Sequence, residues 1–474
     1  MILVNAFTGI FTYYAMGKFT RKQNLKIIGT MLYMLCTYRL VNMNIRSAAG
    51  EYTAMCFLPL IVVGLYNIMK KEDITISDWF PLAAGMSGVL MSHIVTAEML
   101  VINISILCIM SLTRLISFKR IIAMLKAVFS SVMMTAWFLI PFIDSAKNQT
   151  TIVQKEDLRM LGTTTQTWTS LFEVFASGHD AGNWISLGLP FVVGIMLLLY
   201  CLYSWKNTEH SNKKAKDKVL EFRILCLFSF MNILFVSKVF PWNRIQNYLG
   251  IEKIGHQLGT IQFAWRFLSI AAILISISVV VALDFISDNK RHIYRASVII
   301  MVASIVVGCG FFYYSFYDYA AQAKWSNVVS YAGSDNLYFL EGTDATICNV
   351  SKCSVKEGNV DINGYKKENG KATLHVKNNS KEQEGKVSVP IFAYNHYHVY
   401  ELQSKSVVKE LEHDKDENNC ILITIPAGFD GSMQISFVEP VLWRISEIIS
   451  LLTWIIVSYM VIVKLRCRIK ICSK

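Results

Sequence analysis

Apolar runs of near-membrane-spanning length recur along most of this chain, and no other feature narrows the fold so far. A hydrocarbon core about 30 Å thick takes roughly twenty apolar residues in helix. Segments of that kind occupy 1–17, 25–42, 51–69, 79–93, 94–113, 120–142, 184–205, 221–240, 263–285, 294–316 and 440–463. The chain is 17% charged, against about 25% in soluble domains, so the runs point to a bilayer rather than a soluble core. The net charge of +12 would suit nucleic acid if it were gathered on one domain. Instead it is spread over alternate gaps: Lys18 to Lys26, Lys70 and Lys71, Arg114 to Arg120, Lys206 to Lys218, Lys290 to Arg295, and Lys464 to Lys470. Basic loops stay cytoplasmic, so the alternation predicts about eleven transmembrane helices, a cytoplasmic C-terminal tail and no nucleic-acid partner.

Three polar stretches then face outward: 143–183, with Trp168, Phe172 and Trp184 suited to an interface; 241–262, opening on Pro241-Trp242; and 317–439. The last has strand-period alternation at 372–377, 386–392 and 420–425, with turn signals at Asn363-Gly364, Asn369-Gly370 and Ala427-Gly428. It reads as an extracytoplasmic β-sandwich. The domains expected are therefore 1–316, a polytopic helical bundle; 317–439, β-rich; and 440–474, a final helix and basic tail. Most of the 11 cysteines fall in apolar runs. Cys348, Cys353 and Cys420 lie in the polar domain, where a Cys348–Cys353 bridge fits the spacing. His396 and His398 alternate on an expected strand and would share a face. With no third ligand, an aromatic surface strand fits them better than a metal pair. Asn148, Asn349 and Asn378 head glycosylation triplets.

Ionisable residues at membrane depth are costly and point to function by default. The predicted topology brings Arg39, Arg46, Glu51, His93, Glu98, Gln262 and Arg266 to one level at the outer interface. Arginine suits a phosphate, and a carboxylate or imidazole suits proton transfer. Each also has a structural explanation. Arg39 and Arg46 can snorkel to headgroups, Glu51 can favour a helix N-terminus, His93 can pack, and Arg266 can stack on Trp265. Residue 1 falls on the outer side. Either residues 1–17 form a reverse signal anchor, or further helices precede them, the second being the stronger expectation.

The segment from Leu32 through Arg46, Gly50-Glu51 and Phe57–Leu60 resembles bacterial polytopic proteins of the YfhO type, some labelled 6-pyruvoyl-tetrahydropterin synthase-related membrane proteins. Leu90–His93, Gln262–Leu268, Val389–Tyr394 and Ile425–Gly428 fit the same family, in order along nearly the whole chain. Such proteins are similar to the GT-C superfamily of glycosyltransferases. The resemblance implies a polyprenyl-phosphate-linked sugar donor and a surface glycan acceptor at the outer face, and leaves the need for a divalent cation open. It implies phosphate binding at Arg266, and the GT-C acidic loop normally follows a first helix, after which this chain is expected to begin. Glu51, assisted by His93, is then the catalytic candidate, with Arg39, Arg46, Gln262 and Arg266 on lipid or phosphate. Two other classes fit the same residues: a transporter or flippase of lipid-linked precursors, and a non-catalytic envelope assembly protein.

Overall fold

The structure, a computed structural model, describes the chain through residue 472 except for 112–116, 153–159, 174–184, 207–212, 249–251, 286–289, 314–337, 344–351 and 404–405. Contacts divide it into two compact units. The first comprises Met1–Thr135, Leu158–Ser326 and Thr453–Lys474; the second comprises Ala136–Asp157 and Asn327–Leu452. The second is wider than the segment 317–439, since it takes in residues from far upstream.

The helices of the chain are α1 (Ile2–Phe19), α2 (Gln23–Met34), α3 (Thr37–Asn44), α4 (Ala49–Lys70), α5 (Ile76–Ser92), α6 (Ile94–Met110), α7 (Phe118–Asn148), α8 (Gly188–Lys206), α9 (Lys213–Val236), α10 (Trp242–Tyr248), α11 (Glu252–Gly259), α12 (Leu268–Phe285), α13 (Lys290–Tyr313) and α14 (Val441–Cys472). Among the described residues, six are long and apolar enough to cross a membrane: Ala49–Lys70, Phe118–Asn148, Lys216–Val236, Ala264–Phe285, Arg295–Tyr313 and Val441–Lys464. Ile94–Met110 and Gly188–Ser204 are shorter apolar helices. The expected span 25–42 is broken: α2 stops at Met34, and Leu35 and Cys36 leave helical geometry before α3 begins. Neither Pro nor Gly marks the break, so periodicity could not locate it.

Small residues bring α4 and α5 together. A Cβ on Gly64 would stand 2.4 Å from the Leu82 backbone nitrogen, and one on Gly88 would stand 2.4 Å from the Phe57 ring. The pair is antiparallel across a short turn, and a capping box starts α5: Asp78 Oδ2 accepts from the Thr75 backbone N–H at 2.9 Å. The start of α4 therefore lies beside the end of α5. There, a Cβ on Gly50 would stand 2.7 Å from the Ser92 carbonyl oxygen and 3.4 Å from His93 Cδ2. At the centre of the unit is α12, buried over nearly its whole length. Its far end carries Asp284, which accepts from Thr20 at 3.0 Å and pairs with Lys22 at 3.4 Å and Lys218 at 3.7 Å.

The second unit holds nine strands: β1 (Ser354–Glu357), β2 (Val360–Glu368), β3 (Lys371–Asn378), β4 (Gly385–Phe392), β5 (Tyr397–Gln403), β6 (Ser406–Leu411), β7 (His413–Lys415), β8 (Cys420–Ile425) and β9 (Asp430–Phe437). They form one sheet in the order β1-β4-β8-β7 and another in the order β2-β3-β9-β5-β6. Alternate residues of both sheets (Leu374, Val376, Val387, Val389, Ile421, Ile423, Met433 and Ile435) share one core, as in a sandwich. Asn369-Gly370 makes the β2–β3 hairpin, both residues having positive φ, as two-residue turns require. Asn363-Gly364 is not a turn. It lies inside β2, where the register against β3 shifts between Asn363 and Lys366, and Gly364 supplies the positive φ of a bulge. In the same unit Asp144 of α7 receives His396 Nε2 at 2.7 Å and the Trp443 indole N–H at 3.1 Å.

Candidate functional site

The site grows from the α3–α4 corner. Residues Thr37–Asn42 of α3 are all buried, and Tyr38, Asn42 and Arg46 follow one another at intervals of four, which stacks them on one face. Ser47, at φ 50, turns the chain so that Glu51 in the first turn of α4 meets that face. Tyr38 donates its hydroxyl hydrogen to Glu51 Oε1, and Arg46 reaches Glu51 Oε2 at 3.3 Å and Asn42 Oδ1 at 2.6 Å. From the opposite side, Arg266 brings Nε to 3.6 Å from the same Glu51 oxygen. Two guanidiniums from distant segments thus converge on one carboxylate that is 1% exposed.

Arg266 lies in a single 3-10 turn, Ala264–Phe267, that leads into α12. Its guanidinium donates to the Ile261 carbonyl at 2.8 Å and to Gln262 Oε1 at 3.1 Å. Gln262 has φ 62, an uncommon conformation outside glycine, and this turns its side chain back toward Arg266. Phe263 and Trp265 stack in parallel at 4.5 Å, forming an aromatic plate beside the cations. Arg266 lies over Phe263 at 5.0 Å, whereas Trp265 takes Arg46 at 5.8 Å. The expected Arg266–Trp265 stacking is thus replaced. Residues 263 and 265 are in line across the stack, while Arg266 turns toward the ring two positions ahead of Trp265.

His93 joins α5 to α6 and caps α6: Nδ1 lies 2.8 Å from the Thr96 hydroxyl and accepts from the Thr96 backbone N–H at 3.2 Å. That commits Nδ1 as an acceptor, so the neutral ring carries its hydrogen on Nε2 and can donate from there. Arg266, Glu51 and Arg46 all act on the ring electrostatically. Two further donors belong to this neighbourhood. Asn42 Nδ2 and Trp265 Nε1 are buried without an acceptor among the described residues, an arrangement native structures rarely leave unexplained.

Arg46, Glu51, Gln262 and Arg266 are brought together, with His93 alongside. Arg39 is not. It is 1% exposed and turns to α1, donating to Asn5 Oδ1 at 2.6 Å and Thr8 Oγ1 at 3.2 Å, and back to the Met34 carbonyl that the α2–α3 break frees. A side chain one position after Tyr38 leaves the helix about 100° away, so the two cannot share a pocket. Glu98 is held apart too, by Gln257 at 2.5 Å and Thr260 at 2.8 Å. Tyr38, Asn42 and Phe263 were not singled out in the sequence. The spacing of four from Tyr38 to Arg46 was the signal available.

Among its described residues the β-rich unit shows no comparable constellation. His396, at φ 69, precedes β5 rather than lying in it, so it does not share a face with His398. His398 bonds Glu410 at 2.6 Å and stacks on Tyr400. Among the described residues no group of three His, Cys, Asp or Glu could hold a metal ion. Cys348 and Asn349 lie outside the described residues. Cys353 bridges no described cysteine, and burial pushes its thiol up to about 11, away from reactivity. Asn378 is buried and donates to the carbonyls of Gln383, Ile425 and Pro426, so it is a strut of the sandwich and not a glycan acceptor in the folded chain. Comparison with family models, curated proteins and solved structures finds no match for the chain.

Proposed function

We propose that this chain is a multi-pass membrane glycosyltransferase of GT-C-like organisation. It crosses the bilayer about eleven times and holds its C-terminal tail in the cytoplasm and its β-unit outside. It transfers a sugar from a polyprenyl-phosphate donor to a cell-surface glycan. The observation that carries this reading is the convergence of Arg46 and Arg266 beside two buried N–H donors, Asn42 Nδ2 and Trp265 Nε1, that lack acceptors among the described residues. Such a donor-rich cluster suits phosphate oxygens.

In this reading Glu51, with both oxygens engaged, orients the two guanidiniums. Glu51 also takes the proton of the acceptor hydroxyl as that oxygen bonds to the anomeric carbon, and the His93 Nε2–H donates to the departing phosphate. The bond from that carbon to the donor phosphate breaks, and the phosphate leaves with the electron pair against Arg266 and Arg46. Phe263 and Trp265 offer a flat face to the sugar ring. The test is transfer by purified protein from a polyprenyl-phosphate sugar to an oligosaccharide acceptor. Product is expected from wild type and lost from Arg266→Ala and His93→Ala at equal yield. No transfer with any donor, from protein that is folded and monodisperse, would overturn the reading.

One observation favours transport instead. The α2–α3 break sets a discontinuous helix beside the buried Arg39, as in carriers whose half-helices surround their substrate. Translocation of a labelled lipid-linked sugar in vesicles without an acceptor, abolished by Arg39→Ala, would decide for it.

A further inference from the structure

The end of the first unit away from Glu51 carries a second polar cluster, above an apolar groove. Lys70, the last residue of α4, donates to Glu221 Oε1 of α9 and to the Tyr66 hydroxyl, both at 2.6 Å. The cluster is open, with side-chain exposures of 50% for Lys70 and 27% for Glu221. Below it the groove runs between α4, α6, α9 and α12, lined by Leu58, Leu65, Leu107, Leu225 and Leu274 among others, and encloses about 210 Å³. On the same measure a single water needs roughly 10–15 Å³. Within Leu268–Val280 of α12, Leu274 is the residue left unburied, because the groove interrupts the packing there. From Leu58 to Lys70 the groove follows α4 for about 18 Å, a little over half of a hydrocarbon core about 30 Å thick. That is the reach of one acyl chain of a single leaflet.

Water gains few partners in so apolar a space, and hydrocarbon suits it better. The rim then selects the headgroup. Lys70 and Glu221 place a cation and an anion side by side, with the Tyr66 hydroxyl between them. A phosphate with a primary ammonium complements both, the phosphate on Lys70 and Tyr66 and the ammonium donating to Glu221. A quaternary ammonium has no hydrogen to donate, and an uncharged glycerol headgroup leaves Glu221 beside a net negative lipid. We infer that this groove binds one acyl chain of a phospholipid with a phosphoethanolamine headgroup, in the leaflet opposite the Glu51 site. The inference does not depend on glycosyl transfer.

Native mass spectrometry of the purified protein, offered an equimolar mixture of phosphatidylethanolamine, phosphatidylcholine and phosphatidylglycerol with the same acyl chains, tests it. Wild type should retain phosphatidylethanolamine about fivefold over the others. Leu65→Trp, which fills the groove, should erase that excess, and Glu221→Gln should remove the headgroup preference while a lipid is still retained. Leu107→Phe serves if Leu65→Trp does not fold, folding being judged by thermal unfolding. Equal retention of the three lipids by wild type, enrichment of phosphatidylglycerol, or a preference untouched by these variants overturns the assignment.

Discussion

The helical and β-rich units treat buried polar groups in opposite ways. In the β-unit they are satisfied: Asn378 ties three carbonyls, and the buried Ser388 donates its hydroxyl to half-buried Asp416, which also receives the backbone N–H groups of Asn418 and Cys420. In the helical unit Thr37, Arg39, Asn42, Asn67, Ser186, Asn232, Trp265 and Ser297 each keep a buried N or O atom without a partner among the described residues, and the described residues of the β-unit hold no such atom. Three of these, Thr37, Arg39 and Asn42, fall on the eight residues of α3. Unsatisfied groups destabilise by about 1–3 kcal/mol each. Their concentration in one short helix marks where the helical unit gives up stability. In the β-unit the same residue types hold the fold.

The contrast can be broken at several points. The largest expected effect is on activity: Arg266→Ala should lower sugar transfer by about a hundredfold or more. Its unfolding midpoint in detergent should stay near that of wild type, and a lost fold would make Arg266 a structural residue. Gly64→Val should destabilise the helical unit by about 3 kcal/mol, because backbone and not a movable side chain faces it. Thermal unfolding with normal β-unit protease resistance would locate the damage. Asn378→Leu should cost the β-unit about 2 kcal/mol by leaving carbonyls unpaired, with transfer unchanged at low temperature. Thr37→Val, in contrast, removes a hydroxyl that has no partner among the described residues, and should be neutral or stabilise by about 0.5 kcal/mol. A clear loss in Thr37→Val would show the hydroxyl to be satisfied after all.

The smallest effect concerns pH. Burial, then the charge of His398, holds the His413 imidazole below its usual 6.5. Protonation is thereby disfavoured in the folded state, so the stability it contributes is present above about 6.5 and declines as pH falls through the lower folded value. Replacing His413 by Gln should flatten the acid side of the β-unit's stability profile, as followed by its unfolding midpoint between pH 7 and 5.

Much of this was legible from residue order, for reasons that differ by element. The long apolar helices follow from run length, and the strands at 372–377 and 420–425 follow from alternation that the sandwich buries as expected. Arg46 and Glu51 are near neighbours in sequence, so their meeting needed only the turn at Ser47. Arg266 came to the same site through a shared helix end, which charge alternation suggested and the Glu51 contact realises. The separation of Arg39 was hidden because it rests on side-chain direction around α3 and on a break with no Pro or Gly. The bulge at Gly364 was hidden too, since Asn-Gly has one composition whether it closes a hairpin or kinks a strand.

The burial of α12 has a mechanical consequence. Arg266 stands just before its first residue and Asp284 near its last, and neither end can rotate against a fluid environment, because protein surrounds the rod. A single residue inserted near Ile275 would turn one end by about 100° relative to the other. It would unseat the arginine on one side or the lysine pair on the other, so the two faces are kept in register by one keyed shaft.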